Sequence, residues 1–377
     1  MPPLSGRDGP VRNPHDRASP MKLATYKDGS RDGQLVVVSR DLSLAHYATG
    51  VATRLQQVLD DWNFLAPLLQ DLSETLNHGK ARHAFAFDPQ MCMAPLPRAI
   101  GRSLARAWPS HAEQLAAAAG VTPPADLRSG SAQRLCPADS LLGPTDDVFF
   151  PLGAPAGGEA PWPDFAAGLA VIVGDVEAGV SSDQALEGVR LLTLVNDWSL
   201  RPAEDDPAQA YPQAGAAANG GWAACAPVAV TLDELGPAWQ RGRLQARLEV
   251  ALNGQPWGAL DTGEGMAIHF GQLIAQLARQ RPLRAGVIVG AGPVSQAGVA
   301  GCASWLEQRA RSLCAVPAVD DAPARKARAG RGRAAEPVPS SARPQPPLQE
   351  SDQVRIELFG ADGMSLCGAI EQAWLPV

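Results

Sequence analysis

The chain has 377 residues, of which 45% are hydrophobic, and its formal net charge is −7. This length suffices for one large domain and a smaller one, and the hydrophobic content is ordinary for a globular protein. The acidic balance argues against nucleic acid as a partner, because binding phosphate requires a basic face. The sequence contains no run of about 18 apolar residues, so it predicts no helix that spans a membrane.

Residues 1–20 contain proline, aspartate and arginine throughout and lack the apolar stretch of a signal peptide. We expect them to be a disordered extension and the protein to be cytoplasmic. The six cysteines are scattered, with no CxxC motif and no paired Cys/His spacing, so the sequence predicts reduced structural thiols and no zinc site.

Residues 21–95 are predicted to form a small N-terminal α/β module. The segment KLATYKDGSRDGQLVVVS has two short β runs around turn-forming residues, which is the composition of a hairpin. Residues 48–77 follow with apolar side chains at helical spacing, so at least one helix is expected to cover the hairpin.

Residues 96–377 are predicted to form the larger domain. Apolar, β-branched runs separated by turn residues predict strands at 169–173, 191–195, 228–231, 248–252, 287–289 and 354–359. One helix is predicted over residues 265–279. Many short strands with few helices favour an α+β, β-rich fold whose large domain is a mixed roll or barrel. Residues 317–350 are rich in proline, arginine and alanine, which predicts a disordered insertion within this domain.

The segment LLTLVNDWSLR, residues 191–201, places a polar cluster directly after a buried strand. Asparagine and aspartate are unfavourable inside strands, so this pattern indicates a strand end at which Asp197 faces a pocket. A turn in which Asp197 bonds the local backbone is an equally good interpretation of these residues alone.

Several colinear blocks resemble the fumarylacetoacetate hydrolase family, of the bacterial two-part type. They include RHAFAFDPQMCMAPLPRA, LLGPTDDVFF, DQALEGVRLLTLVNDWSLR, HFGQLIAQLARQRPLRAGVIVGAGPVS and VRIELFGADGMSLCGAIEQ. The resemblance covers most of residues 21–377, and NDWSxR is its most specific motif.

The resemblance implies a mixed β-roll fold and a dimeric, metal-dependent hydrolase. Such enzymes cleave a carbon–carbon bond in a β-diketone or acylpyruvate during the breakdown of aromatic compounds, and relatives decarboxylate, hydrate or tautomerise similar oxo acids. A Mg²⁺ or Ca²⁺ ion held by carboxylates would bind the substrate's oxygens as a Lewis acid. A His–Glu pair would activate water.

Four residues match the family's functional positions. By resemblance, Asp197 is the metal-ligating aspartate of NDWSxR and Arg201 is the substrate-binding arginine. His111 falls at the catalytic histidine, and Glu307 matches the glutamate that orients it. A homodimer and a small oxo-acid substrate are the partners that the family implies.

The other expected metal ligands are replaced in this chain. The family's remaining carboxylates fall at Leu104, Ala166 and Gly168. Other acids nearby, such as Asp164, are expected on surface loops. A divalent cation held by one carboxylate has little advantage over water, because Mg²⁺ dehydrates reluctantly and Ca²⁺ needs about six to eight oxygen ligands.

Three hypotheses therefore stand. The protein is a hydrolase of this family with impaired activity, or a catalytically inactive paralogue with a structural or partner-subunit role, or a decaying gene product that folds poorly.

Overall fold

The computed structural model describes residues 20–129, 133–139, 141–151, 161–201, 221–314 and 348–377. The strands of these ranges are Lys22–Tyr26 (β1), Gln34–Val38 (β2), Leu44–Tyr47 (β3), Phe85–Ala86 (β4), Gly101–Leu104 (β5), Arg134–Cys136 (β6), Leu141–Leu142 (β7), Val148–Phe150 (β8), Trp162–Asp164 (β9), Ala167–Val173 (β10), Val189–Asp197 (β11), Ser199–Arg201 (β12), Ala223–Cys225 (β13), Val228–Thr231 (β14), Trp239–Gln240 (β15), Arg243–Leu244 (β16), Arg247–Leu252 (β17), Gln255–Asp261 (β18), Val287–Pro293 (β19), Gln353–Phe359 (β20) and Ile370–Pro376 (β21). The α-helices are Leu55–Asp60 (α1), Trp62–Asn77 (α2), Pro109–Ala119 (α3), Ser182–Leu186 (α4), Leu232–Leu235 (α5), Phe270–Leu277 (α6) and Trp305–Cys314 (α7).

The N-terminal hairpin and its helices are present as predicted. Strands β1 and β2 pair antiparallel from Lys22–Val38 to Tyr26–Gln34. Helices α1 and α2 bury one apolar side, which includes Val58 and Leu69, in the same cluster as the outward face of the hairpin. Because β1 also pairs with β14, the N-terminal strands continue into the sheet of the larger domain.

A large mixed sheet organises the molecule. Its strand order is β4-β3-β2-β1-β14-β11-β10-β19-β5-β6, with β13 and β7 attached beside β11. A five-stranded sheet, β18-β17-β20-β21-β8, packs with it. All six strands predicted from the sequence are present, and the strand-rich α+β class is confirmed. No helix of the described residues is long and apolar enough to cross a membrane.

Two predicted segments need correction. The helix expected over residues 265–279 is only Phe270–Leu277, because Gly265 has a positive φ and His269 caps the helix with extended backbone. The predicted insertion ends too late, since Leu348 is 3% exposed and packs in the main core. The rest of that insertion and residues 1–19 lie outside the described residues.

The strand register brings the family's ligand positions onto one face of the large sheet. Leu104 of β5 lies beside Gly290 of β19, which in turn lies beside Ala170 of β10. Side chains alternate along a strand, so Gly168 shares the face of Ala170. Gly168 pairs with Val195, two residues before Asp197, and Asp197 therefore faces the same side.

Candidate active site

His111 and Glu307 form a buried pair between two packed helices. His111 lies in the first turn of α3, which begins with a proline at Pro109, and Glu307 lies in the first turn of α7. The Nδ1 atom of His111 is 2.9 Å from Oε2 of Glu307. The side chain of Glu307 is fully buried, and that of His111 is 10% exposed. The fold thus brings together the two residues that the resemblance assigned to one catalytic pair.

The second carboxylate oxygen of Glu307 accepts three further hydrogen bonds. Its donors are Nε2 of Gln114 at 3.0 Å, Oγ of Ser295 at 3.1 Å and Nη2 of Arg311 at 2.7 Å. Burial by itself raises the pKa of Glu307, but the hydrogen bond and charge of His111, with Arg311 and Ser295, hold that pKa below its ordinary value. Glu307 is therefore ionised and fixed in one orientation.

Arg311 connects this carboxylate to the loop that follows β19. Its guanidinium donates to the carbonyl oxygens of Gln296 at 3.1 Å, Val299 at 2.6 Å and Gly301 at 2.9 Å. Its Nε also donates to the side-chain oxygen of Gln114. Arg311 thereby locks α3, α7 and the loop around the His111–Glu307 pair.

Arg201 is held by a second buried carboxylate, Asp164. Nε and Nη2 of Arg201 lie 3.1 and 2.8 Å from Oδ2 of Asp164. The other oxygen of Asp164 accepts the backbone N–H of Leu306 at 2.9 Å, so Asp164 also fixes the start of α7. The expectation that Asp164 lies on a surface loop was wrong, since this residue is fully buried.

The other polar residues of the NDW motif stabilise the fold. The Nε1 atom of Trp198 donates to the side-chain oxygen of Gln372 on β21 at 3.0 Å, and the amide of Asn196 contacts the same oxygen at 3.4 Å. Asn196 also accepts the backbone N–H of Ala166. These contacts join β11 to the C-terminal strand, and they leave Asp197 on the opposite face.

Asp197 forms a buried ion pair with Arg102. The Nη2 atom of Arg102 contacts Oδ1 of Asp197, and the two side chains are 6% and 14% exposed. Arg102 lies on β5, two residues before Leu104 and on the same face. The aspartate assigned to the metal is thus already paired with a protein cation.

The residues at this face do not fit a divalent cation. Leu104 and Ala166 offer no ligand atom in their side chains, and Gly168 has no room for one: a β-carbon there would lie under 3.0 Å from the backbone of Gly292. Within the described ranges, no three His, Cys, Asp or Glu side chains are grouped closely enough to hold a metal ion. A divalent cation about 4 Å from the Arg102 guanidinium would be repelled by on the order of 8 kcal/mol at an effective dielectric constant of about 20.

Some residues of this region were not identified from the sequence. Arg102, Gln114 and Ser295 carry no motif, and each meets its partner only through the fold, whereas Arg311 lies four residues after Glu307 on the same helix. The one usable signal was a charged residue, Arg102, inside the short strand that carries the position of an expected carboxylate.

Two family models match this chain. The model described as "Fumarylacetoacetase N-terminal domain 2" matches residues 21–98, and "Fumarylacetoacetate (FAA) hydrolase C-terminal" matches residues 103–370. No curated protein sequence matches.

Solved structures of similar fold cover nearly the whole chain. Maleylpyruvate hydrolase from Sphingobium sp. SYK-6 is 14% identical with a TM-score of 0.57, and the alignment covers 95% of this chain and 100% of that one. The same enzyme has been solved with manganese(II) and pyruvate, at 14% identity and a TM-score of 0.56 over 94% and 99% of the two chains. Fumarylacetoacetate hydrolase from Exiguobacterium antarcticum is 15% identical, with a TM-score of 0.57 over 95% and 100%. At these identities the likeness concerns the fold.

Replacing Gly168 with alanine tests whether the ligand position on β10 is closed. The added methyl group meets the backbone of Gly292, so we expect a loss of about 1–3 kcal/mol in the free energy of unfolding, measured by urea denaturation. The control is Gly101→Ala on β5, where a β-carbon has an ordinary contact of 3.6 Å with Val287. This control should change stability by about 0.5 kcal/mol at most. Equal losses of unfolding free energy in the two variants would contradict the lack of room for a side chain at Gly168.

Replacing Glu307 with glutamine tests the charge at the His111 pair. Removing one partner of a buried pair should cost about 3 kcal/mol at neutral pH. Because the folded-state pKa of Glu307 lies below its ordinary value of 4.5, its contribution is fully present above pH 4.5 and declines as pH falls through the folded-state pKa. The difference in unfolding free energy between wild type and Glu307→Gln should therefore shrink in acid.

The matched control is Glu113→Gln on the same helix as His111, where the carboxylate is exposed and pairs with Arg128 at 3.4 Å. It should change stability little at any pH. A Glu307→Gln difference that does not vary with pH would contradict an ionised Glu307.

Proposed function

This chain belongs to the fumarylacetoacetate hydrolase family, and we propose that it keeps the fold of the family without metal-assisted hydrolysis of a carbon–carbon bond. Its role is then structural, or that of a partner subunit. The observation that carries this proposal is the ion pair between Arg102 and Asp197, since Asp197 is the one carboxylate left at the four expected ligand positions.

Hydrolysis of a carbon–carbon bond in this family depends on the divalent cation. Cleavage of an acylpyruvate needs a Lewis acid that binds adjacent substrate oxygens and stabilises the negative charge that develops on them. Neither Arg102 nor Arg201 can take over this task easily, because Arg102 is held by Asp197 and Arg201 by Asp164.

A second candidate function is proton transfer on a small oxo acid without a metal ion. The specific observation in its favour is the 2.9 Å contact between His111 and Glu307. A carboxylate on Nδ1 fixes the imidazole tautomer in which Nδ1 carries the proton, so Nε2 is left as the nitrogen that accepts a proton from substrate. Tautomerisation of an oxo acid needs such a base, whereas hydrolysis also needs a means of stabilising the oxyanion.

We also propose that the protein is a cytoplasmic homodimer that binds neither nucleic acid nor membrane. The acidic net charge of −7 supports the exclusion of nucleic acid. Light scattering of the purified protein measures the oligomeric state, and a monomeric mass would contradict the dimer.

One experiment separates the candidate functions. Purified protein is incubated with an acylpyruvate in D₂O, with EDTA or with 1 mM Mg²⁺ or Ca²⁺ (about a thousandfold above micromolar affinity), and is followed by proton NMR beside matched solutions without protein. The structural role predicts no cleavage products and no deuterium uptake faster than in the solutions without protein. Metal-free proton transfer predicts a protein-dependent rate of deuterium uptake at the carbon next to the keto group that is the same with EDTA and with metal and is lost in His111→Gln.

Cleavage that depends on an added metal ion would overturn the proposal. The control variant is His269→Gln, because His269 caps α6 and touches neither Glu307 nor Asp197 in the described structure. It should behave as the wild type does in every condition.

A further inference from the structure

Arg102 is an unusual residue for its position in the fold. It lies in the middle of β5, between Ile288 of β19 and Cys136 of β6, and it is 6% exposed. Burial lowers the pKa of its guanidinium below the ordinary value, but arginine still carries its charge at every pH at which proteins fold. A permanent positive charge is therefore enclosed on the face of the sheet that carries Asp197.

A second cation lies close to Arg102, because Arg134 of β6 pairs with Leu104 and its charge acts on the Arg102 guanidinium. The nearest carboxylate contact of Arg102 is Asp197, so the two enclosed charges depend on each other.

We infer that the guanidinium of Arg102 takes the place of the family's divalent cation as the counter-ion of Asp197. The inference deepens the proposed function and rests on it. Several carboxylates together attract a divalent ion, whereas a single carboxylate is neutralised by a single positive charge. Leu104, Ala166 and Gly168 remove the acidic side chains, and Arg102 supplies a matching monovalent charge.

This exchange makes the stability of the site independent of metal ions. Either charge alone, enclosed without its partner, is strongly destabilising, whereas the pair is tolerated because its members neutralise each other. Binding a cation at Asp197 would require Arg102 to leave its carboxylate partner while the charge of Arg134 remains close by. The ion pair thus holds β5 against the end of β11 and also excludes the ion.

A double-mutant cycle tests the counter-ion directly. Arg102→Met and Asp197→Asn should each lower the midpoint of thermal unfolding by about 5 °C or more, and the double variant should lower it no further than the more harmful single change. The control cycle pairs Asp197→Asn with Arg243→Met. Arg243 donates only to the carbonyl oxygens of Met266 and Ala267 among the described residues, so these effects should add. Additive effects of Arg102 and Asp197 would overturn the inference.

A gain-of-binding experiment tests the exclusion of the cation separately from stability, with both variants first shown to be folded by circular dichroism. Leu104→Asp and Ala166→Glu restore two carboxylates beside Asp197, while Gly168 is left unchanged because it has no room for a side chain. This double variant is compared with the triple variant that also carries Arg102→Met, and Mn²⁺ alone is titrated by calorimetry. Micromolar binding by the triple variant and at least a hundredfold weaker binding by the double variant is expected.

Equal Mn²⁺ binding by the two variants, or binding by neither, would overturn the claim that Arg102 is what excludes the cation. Failure of the proposed function would instead appear as metal-dependent cleavage of substrate by the wild-type protein. Failure of the inference and failure of the proposed function can therefore be distinguished.

Discussion

The balance of charge at the end of β11 decides what this fold can do. The backbone of Asp197 is fixed there by the register of β10 and β11 and by the Asn196 and Trp198 contacts to the C-terminal strand. A carboxylate that is only 14% exposed is costly without a partner for its charge. Whether that partner is an ion or a protein side chain determines whether the site can act as a Lewis acid, and in this chain it is Arg102.

The His111–Glu307 pair is intact, in contrast to the expected ligand positions. His111 and Glu307 keep hydrogen-bonding geometry, and Gln114, Ser295 and Arg311 surround the carboxylate with donors. Such a network serves two purposes: it can orient a base, and it joins α3, α7 and the loop after β19 in one unit. Because the structural purpose alone accounts for this geometry, the pair is compatible with both candidate functions.

Much of the fold was predictable because it rests on local patterns. The β-branched runs at β10, β11 and β14 predict buried strands, and the DGSRDG turn predicts the hairpin. The predicted helix over 265–279 was too long, since the helix begins only at Phe270, after Gly265 has taken a positive φ. The site was predictable only for residues with a motif. The roles of Arg102 and Asp164 could not be predicted, because their partners, Asp197 and Arg201, are 95 and 37 residues away. Only the strand register brings each pair together.

Anomalous diffraction from crystals of the wild-type protein soaked in MnCl₂ tests the Arg102–Asp197 ion pair most directly. We expect no anomalous peak at the Asp197 carboxylate, with the Arg102 guanidinium still in contact with it. A peak within about 2.2 Å of an Asp197 oxygen, with Arg102 displaced, would show that the site binds a divalent cation and would contradict the central claim.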